Sequence, residues 1–355
     1  MIKIGIVGTG GIAEWHVTEF QKNNDSTVVA ACDVSSDRLN AFCDKFNIKE
    51  RYNSVEELLD KSDIDAVTNT TPDSFHKDIS IKVINHNKHI FCEKPLAENY
   101  KDAKEMCDAL KNKNLINMVN FSYRNSSGYQ ELVKTVQSGK IGNIMHMDAN
   151  YYQSWLSSKY WGDWKTEDKW LWRLSTNHGS MGTLGDIGVH IFDFASFPIG
   201  PIKKLNARLK TFKSKGEKIK DYILDANDTF VSMVEFENGA LGTITSTRFA
   251  TGYSNRIELR IFGDKGAVKI EFDNPLLSEG NKFMFTDDIN REFSSKEDKL
   301  KWKTIETPPT MNNFEKFIDS IKNNIIHKPD FNRGAEIQNI LDKCAKSSDS
   351  DSWVD

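Results

Sequence analysis

Short apolar runs alternate with helical stretches over the first third of the chain. The apolar runs predict strands at Ile2–Val7, Val28–Cys32, Ala66–Asn69 and Ile90–Cys92. Between them, apolar residues recur at helical spacing, as they do in Ser36–Phe46. Strands that alternate with helices form βαβ units with right-handed crossovers, so this pattern predicts a doubly wound parallel sheet, an α/β fold of the Rossmann type.

The pattern changes near residue 120, where longer alternating segments begin. They predict strands at five places: Ile144–Tyr151, Asp228–Phe236, Leu241–Thr247, Arg256–Phe262 and Ala267–Phe272. Asn238-Gly239 separates two of them, and Asn-Gly is typical of a type I′ hairpin turn, in which both central residues need positive φ. We therefore predict a large, mostly antiparallel open sheet in an α+β second domain.

The predicted domains span residues 1–120 and 121–355, because the change of pattern falls at about 119–125. No stretch rich in proline or serine marks a flexible linker there. The polar segment Ser347–Asp355 is expected to fray, apart from Trp353.

Composition is that of a globular protein, with 38% hydrophobic and 28% charged residues in 355. The net charge of −4 argues against nucleic acid or an anionic membrane as a partner. No run reaches the roughly 18 apolar residues that span a bilayer. The chain opens on a predicted strand rather than a secretory signal, so we expect a cytoplasmic protein.

The cysteines also favour a cytoplasmic protein. The five cysteines are odd in number and none stands in a C-x-x-C arrangement, which favours reduced thiols over a disulfide framework or a zinc site. No metal site is predicted.

A glycine-rich turn, Gly8-x-Gly10-x-x-Ala13, follows the first strand and opens a helix. In this context Gly8 permits the tight turn, Gly10 lets a pyrophosphate approach the backbone, and Ala13 allows close helix–strand packing. Helix N-termini favour anions, so the turn predicts a dinucleotide site, although a glycine turn without a ligand is the alternative. The predicted cofactor-binding residues of the turn are Gly8, Thr9, Gly10, Gly11 and Ile12.

Asp33 ends the second strand, 20 residues past Ala13, where a carboxylate would accept hydrogen bonds from the adenosine ribose. A carboxylate also repels a 2′-phosphate, so NAD is favoured over NADP. Arg38 lies close enough in sequence to leave NADP open, but a solvated helix residue is the favoured interpretation.

The segment after the third strand adds further cofactor candidates, since ligands of open α/β sheets bind at the carboxyl ends of the strands. Thr70, Thr71 and Pro72 would line the cofactor cleft there. His76 is either a ribose neighbour or, by preference, a structural histidine.

Glu93-Lys94-Pro95 ends the apolar strand Ile90–Cys92 at the same edge. A lysine there can donate to a substrate oxygen and stabilise its developing negative charge. The proline keeps Lys94 out of helical geometry and permits a cis bond. Far downstream, Asp186 and His190 stand four residues apart, a spacing that places both on one helix face. These residues predict a Lys/Asp/His acid–base group facing a nicotinamide cofactor.

These motifs, in this order and spacing, resemble the Gfo/Idh/MocA family of oxidoreductases. The resemblance extends to Phe121-x-x-Arg124 and to Trp172-Arg173. It implies catalytic roles for Lys94, Asp186 and His190 and cofactor roles for Glu93 and Lys94. It further implies a homodimer or homotetramer formed through the C-terminal sheet. The resemblance and the segment's position also suggest substrate contacts by Tyr123, Arg124, Trp172 and Arg173.

Two departures leave the substrate open. The family's glycine-rich approach to the catalytic helix has fewer glycines here, in residues 178–185, and an Arg-Arg pair of some inositol dehydrogenases is replaced by Tyr123-Arg124. Five of the eight tryptophans lie between Trp155 and Trp172, where sugar stacking and core packing are equally favoured.

The expected function is hydride transfer between NAD(P) and a secondary alcohol or ketone of a sugar, inositol or related polyol. His190 acts as general base, because its unperturbed pKa of about 6.5 lies near working pH. Two alternatives stay open: a glycoside hydrolase that retains NAD, and a non-catalytic NAD-linked sugar sensor.

Overall fold

The computed structural model describes residues 1–177, 181–212, 216–273, 282–290 and 301–355. They form two compact units: Met1–Ser122 with Met311–Asn339, and Tyr123–Thr310 with Ile340–Asp355. A single boundary at residue 120 therefore differs from the structure by one segment, Met311–Asn339. The reason is its amphipathic helix, which buries Phe314 and Phe317 in the core of the first unit.

The first unit is built on a six-stranded parallel sheet with the order β3-β2-β1-β4-β5-β6. The chain winds outward from β1 in both directions, as the doubly wound prediction requires. The strands are β1 (Ile2–Val7), β2 (Ser26–Cys32), β3 (Glu50–Tyr52), β4 (Ala66–Asn69), β5 (His89–Cys92) and β6 (Asn117–Val119).

Several helices of the first unit begin at polar caps. The Ser54 side chain accepts from the backbone N–H of Glu57, and Asn312 with Glu315 forms a capping box. The helices are α1 (Gly11–Lys22), α2 (Ser36–Phe46), α3 (Val55–Lys61), α4 (His76–Asn85), α5 (Tyr100–Ala109) and α9 (Asn313–Asn323). The last helix, α10 (Phe331–Ser350), contributes residues to both units.

The second unit is built on an eight-stranded sheet with the order β16-β15-β14-β13-β7-β12-β11-β8. Every neighbouring pair is antiparallel except β12 with β7, so the sheet is mixed and mostly antiparallel, as predicted. Its strands are β7 (Ile144–Gln153), β8 (Ile202–Lys210), β11 (Thr229–Phe236), β12 (Leu241–Thr247), β13 (Asn255–Gly263), β14 (Gly266–Phe272), β15 (Lys282–Thr286) and β16 (Lys303–Glu306).

Smaller elements complete the second unit. A short hairpin of β9 (Lys218–Ile219) and β10 (Tyr222–Ile223) stands apart from the large sheet. The helices α6 (Ser127–Gln137), α7 (Asp168–Leu171) and α8 (Val189–Ser196) belong to this unit. Alternating burial along β11 and β12 places one face of the large sheet on the core and leaves the other partly exposed.

Two local predictions were wrong. The β11–β12 hairpin forms, but only Gly239 has a positive φ, of +87°, so the turn is not type I′. The segment Ser347–Asp355 does not fray, because Val354 pairs with Leu205 and Ser347 is buried, its hydroxyl accepting from the backbone of Ala207.

No helix among the described residues is long and apolar enough to cross a membrane. All five cysteines are free thiols, and Cys107 is partly exposed while the other four are buried.

Candidate active site

The turn between β1 and α1 has the geometry that a pyrophosphate needs. Gly8 has a φ of +87°, and a Cβ there would lie 3.0 Å from the backbone of Thr70. Added Cβ atoms at Gly10 or Gly11 would meet nothing within 4 Å, so the backbone faces open space. No side chain caps the N-terminus of α1. Its first N–H groups are thus available to an anion, and the residues present fit a dinucleotide.

Asp33, at the end of β2, is held by its own neighbours. Its carboxylate accepts from Thr9, Ser35 and Arg38, the last through both Nε at 2.9 Å and Nη2 at 2.5 Å. Burial disfavours the charge, but these donors outweigh it and lower the pKa of Asp33 to about 2. Arg38 is an exposed residue of α2, as the favoured interpretation had it, and its guanidinium also forms an ion pair with Asp33.

His76 ties two loops of the same sheet edge together. Its Nδ1 lies 2.7 Å from the Pro95 carbonyl oxygen, and its Nε2 lies 2.9 Å from the Thr71 carbonyl oxygen. The ring is fully buried and both nitrogens face backbone acceptors. His76 therefore has the contacts of the structural histidine that the sequence favoured, and the cofactor contact of the other interpretation is corrected.

Two carbonyl acceptors favour a doubly protonated ring, because each can only accept. Burial opposes the charge on His76, but the Cys92 sulfur and the two carbonyls outweigh burial and raise the pKa to about 9. The imidazolium form joins the segment after β4 to the segment after β5.

Glu93 is the centre of a buried hydrogen-bond network rather than an open acceptor. Its Oε1 lies 2.7 Å from His16 Nε2 and accepts from Asn120 Nδ2 at 2.6 Å, and its Oε2 accepts from the backbone N–H of Lys94 at 3.2 Å. Burial alone would raise the pKa of Glu93, but His16 and Asn120 lower it to about 2. The cofactor contact predicted for Glu93 is corrected accordingly: the carboxylate supports the backbone that carries Lys94.

Sequence reasoning missed His16, whose Nδ1 lies 2.7 Å from Thr68 Oγ1. The signal was available, because His16 falls on the apolar face of α1 with Ala13, Val17 and Phe20. A polar residue at a core position needs a buried partner, and here Glu93 and Thr68 supply it.

Thr70 also serves the glycine turn, as its hydroxyl donates to the carbonyl of Gly8 at 2.6 Å. Lys94 follows β5 and is partly buried, and its bond to Pro95 is cis. Their cofactor and substrate contacts, like those of Thr71 and Pro72, stay predictions.

In the second unit, Asp186 lies on a π-helical turn, Leu184–Gly188, that leads directly into α8 and His190. The predicted shared face assumed α-helical spacing, and the structure places a wider turn at Asp186 instead. Such π turns inside helices are frequent at functional sites.

The imidazole of His190 is 6% exposed and packs against Tyr123, with ring centroids 4.3 Å apart. The Tyr123 hydroxyl is hydrogen-bonded to the Tyr151 hydroxyl. Burial raises the pKa of both phenols, so both stay protonated at neutral pH. Tyr123, a predicted substrate residue, therefore lies beside the candidate base.

Two arginines converge on Asp186. Arg248 Nη2 donates to Oδ2 at 2.9 Å, and Arg173 Nε lies 3.5 Å from the same oxygen. Arg248 is completely buried, and its Nη1 also donates to the Arg173 carbonyl. Burial lowers the pKa of Arg248 to about 10, against the opposing effect of Asp186, so the guanidinium remains charged at neutral pH. The fold thus brings Arg173 close to Asp186, a predicted catalytic residue. The centre of the Trp172 ring lies 4.2 Å from the guanidinium carbon of Arg173.

Arg248 is the second functional residue that sequence reasoning missed. It continues the buried face of β12 after Gly242, Ile244 and Ser246, at a spacing of two. A charge in line with core positions indicates a buried ion pair.

The substrate role predicted for Arg124 is corrected by the structure. Its guanidinium is 4% exposed, forms a two-pronged ion pair with Asp193, and lies 3.6 Å from the centre of the Phe197 ring. The Arg124 side chain is buried within the second unit and paired with Asp193, so no sugar hydroxyl would reach it.

The tryptophan-rich segment contains a small hydrophobic core. Trp155 and Trp164 are buried with Leu171 and Leu174, while Trp161 and Trp170 pack against them from partly exposed positions. Core packing is therefore the role of Trp155 and Trp164. The first part of the glycine-poor approach, His178-Gly179-Ser180, lies outside the described residues.

No group of histidine, cysteine and acidic side chains that could hold a metal ion occurs in the described ranges.

Models of known protein families match segments of both units of the chain. A model described as the oxidoreductase family with an NAD-binding Rossmann fold matches residues 2–121, and the GFO/IDH/MocA C-terminal domain matches residues 129–269.

Individual relatives agree with these matches. The chain is 27% identical to a levoglucosan dehydrogenase of Pseudarthrobacter phenanthrenivorans over 88% of its own length and 85% of the relative's. It is 28% identical to a myo-inositol 2-dehydrogenase of Thermotoga maritima over 75% and 74%. A solved levoglucosan dehydrogenase in complex with NADH and L-sorbose superposes with a TM-score of 0.85 at 25% identity, covering 100% of this chain and 98% of that one.

Proposed function

This chain belongs to the Gfo/Idh/MocA family, and we propose from that premise that it is an NAD-dependent dehydrogenase of polyols. The substrate is a sugar, an inositol or a related polyol with a secondary alcohol, in keeping with the named activities of its relatives. One observation carries the proposal. The chain combines an open glycine turn, directly after β1, with the predicted catalytic residues Lys94, Asp186 and His190.

Bound NAD would supply the acceptor for the hydride of the carbinol carbon. The turn Gly8–Gly11 would hold its pyrophosphate through backbone N–H groups, and Asp33 would accept from the adenosine ribose. Thr71 and Pro72 line the cleft at the carboxyl end of β4.

His190 removes the hydroxyl proton of the substrate, and its packing against Tyr123 restrains the ring. Lys94 donates to the reacting oxygen and stabilises the charge that develops on it. Asp186, held by Arg248 and Arg173, orients the substrate as a hydrogen-bond acceptor. The joint action of Lys94 with Asp186 and His190 stays a prediction.

The assembly proposed is a homodimer or homotetramer formed through the large sheet of the second unit. Its outer face carries Val231, Met233 and Leu241, each about half exposed. Apolar residues on one sheet face favour burial against a second copy. Light scattering coupled to size-exclusion chromatography tests this assembly. We also propose that the protein is cytoplasmic.

A panel of free sugars, inositols and their glycosides tests the function, with NAD and NADP supplied in parallel. Net formation of reduced cofactor, followed at the NADH absorbance band with a free polyol, supports the dehydrogenase. Release of an aglycone without net NADH would instead indicate the glycoside hydrolase. Tight sugar binding with no turnover of any panel member would indicate the sensor.

A further inference from the structure

We propose that Asn227 is a positioning residue for Asp186, because its side chain holds the turn at residues 181–184 that leads into the π-helical turn carrying Asp186. This inference deepens the proposed function and rests on it for the role of Asp186. Asn227 lies just before β11 in the second unit and is partly buried.

Three hydrogen bonds join Asn227 to this turn. Its Nδ2 donates to the Met181 carbonyl at 2.5 Å, and its Oδ1 accepts from the Leu184 backbone N–H at 3.0 Å. Its backbone carbonyl accepts from the Thr183 N–H at 2.8 Å. A helix leaves its first N–H groups without intrahelical partners, and the Thr183 side chain does not cap this one. Asn227 therefore caps the turn from another segment of the chain.

The turn needs this support because the Met181 backbone is strained. Its φ is +35°, in the left-handed region that a residue with a Cβ rarely adopts. Gly182 follows with a φ of +61°, and a Cβ there would lie 2.4 Å from the Asn227 backbone oxygen. Gly182 thus permits the close approach of Asn227, whereas Met181 occupies a position where glycine would be unstrained. Such strain persists only where surrounding contacts hold the backbone, and the hydrogen bond from Asn227 is such a contact.

The same hydrogen bond affects Asp186 through the backbone. The Met181 carbonyl is turned to Asn227, and its oxygen lies 3.4 Å from the Gly185 nitrogen, so the helical hydrogen bond between them is long. The next turn is π-helical and presents Asp186 to Arg248, whose Nη2 lies 2.9 Å from the carboxylate. Arg248 thus holds the carboxylate, and Asn227 holds the backbone that leads to it. Loss of the contacts of Asn227 would displace Asp186.

Steady-state kinetics on a polyol from the panel, together with hydrogen exchange of peptides from residues 181–190, tests this inference. In N227A the side-chain contacts are lost, and we expect kcat to fall by about ten- to a hundredfold, as for a small displacement at a reacting centre. Exchange at Thr183 and Leu184 should become faster. N227D keeps an acceptor for Leu184 but loses the donor to Met181, so its kcat should fall as in N227A.

The variants M181G and M181A separate positioning from a general loss of structure. Glycine adopts a positive φ without strain, so in the M181G protein the N227A change should lower kcat by at most about threefold. M181A also shortens the side chain but retains a Cβ. In that protein the N227A change should lower kcat as much as it does in wild type.

N238A is the matched control, because Asn238 makes the same two kinds of contact in the turn before β12. Its Nδ2 donates to the Ile199 carbonyl at 3.4 Å, and its Oδ1 accepts from the Ala240 N–H at 3.0 Å. N238A should leave kcat and the exchange of residues 181–190 unchanged. Every variant should bind NADH as wild type does, because the dinucleotide turn lies in the other unit.

A wild-type kcat in N227A or N227D would overturn the inference, as would an equal effect of N227A in the M181G and M181A proteins. Unchanged exchange at Thr183 and Leu184 in N227A would show that Asn227 does not hold the turn. A wild type that oxidises no polyol would defeat the proposed function instead, and the exchange measurement would still decide whether Asn227 holds the turn. Thermal unfolding of each variant checks that it is folded.

Discussion

Arg248 donates a hydrogen bond from Nη2 to Oδ2 of Asp186, across 2.9 Å, from a completely buried position. Burying a guanidinium costs free energy unless its charge is paired. Arg248 therefore depends on its ion pair with Asp186. The pair holds the Asp186 carboxylate in place, with Arg173 near the same oxygen. Arg248 is in this sense a positioning residue for the candidate active site.

Replacing Arg248 tests that role. In R248M, Asp186 loses its buried partner, and we expect kcat to fall by about tenfold or more, as for the loss of one charged contact at a reacting centre. R248K keeps the charge but lacks the planar fork that serves both Asp186 and the Arg173 carbonyl, so it should recover only part of the activity.

Steady-state kinetics on a polyol found in the panel provides the measurement. R208M is the control, since Arg208 pairs with Asp351 at an exposed position of β8 and should leave kcat unchanged. NADH affinity equal to that of wild type shows that the first unit is intact. A purely structural Arg248 predicts a lower melting temperature with normal kcat in the protein that remains folded.

His190 is the candidate general base. In H190A we expect kcat to fall by roughly 10²–10⁴, the usual contribution of a positioned base. NADH affinity should be unaffected, because the dinucleotide turn lies in the other unit of the chain. H146A, which removes an exposed histidine of β7, is the matched control. A loss below about tenfold with intact binding would reject His190 as the base.

The buried ion pair between Arg124 and Asp193 predicts a large contribution to stability. R124M removes a partner of the buried Asp193, and we expect the free energy of unfolding to drop by about 3–5 kcal/mol. If Arg124 only packs, the KM for the polyol should stay near the wild-type value in the folded fraction. Adding D193N should restore part of the stability, because the stranded charge is removed.

Denaturant titration measures the loss, with K134M as control, since Lys134 pairs with Glu131 at a well-exposed site. That control should change stability by less than about 0.5 kcal/mol. A large rise in KM for R124M with unchanged stability would return Arg124 to the substrate residues.

His76 predicts a pH dependence of stability. Its pKa in the folded chain is raised from 6.5 to about 9, so the folded state binds the proton more tightly than the unfolded state. The stabilisation is complete below pH 6.5 and is lost as pH rises toward about 9. The loss amounts to at most about 3–4 kcal/mol, because each pKa unit is worth about 1.4 kcal/mol.

Unfolding by urea at a pH of about 6 and again at about 10 reveals this loss in wild type. In H76Q, which cannot titrate, the difference between the two pH values should shrink. H86Q removes an exposed histidine and should retain the full difference. An identical pH dependence in H76Q and wild type would show that the His76 ring is neutral.

Periodicity was a good guide to the elements because it reports burial. The spacing in Ser36–Phe46 and the alternation in Leu241–Thr247 gave those elements to the residue. The glycine pattern Gly8-x-Gly10 was equally informative, since only glycine tolerates the positive φ and the close backbone at its first position. The same logic failed for the Asn238-Gly239 turn, where one positive φ sufficed.

Partners of charged and polar residues were harder to predict. Arg124 and Arg38 were both visible as cations near functional motifs, yet Asp193 holds the one and Asp33 holds the other. His16 was hidden in an apolar helix face although it contacts Glu93. Asp193 is 69 residues from Arg124, so no local spacing connects them.

By itself the sequence determined many of the strands and helices and the chemistry available at their ends, because side-chain size, backbone freedom and hydrophobic period are local properties. Only the tertiary structure decided which carboxylate each arginine and histidine meets. Hydrogen bonds and ion pairs act over a few ångströms in space, and the fold alone brings such distant residues to that distance.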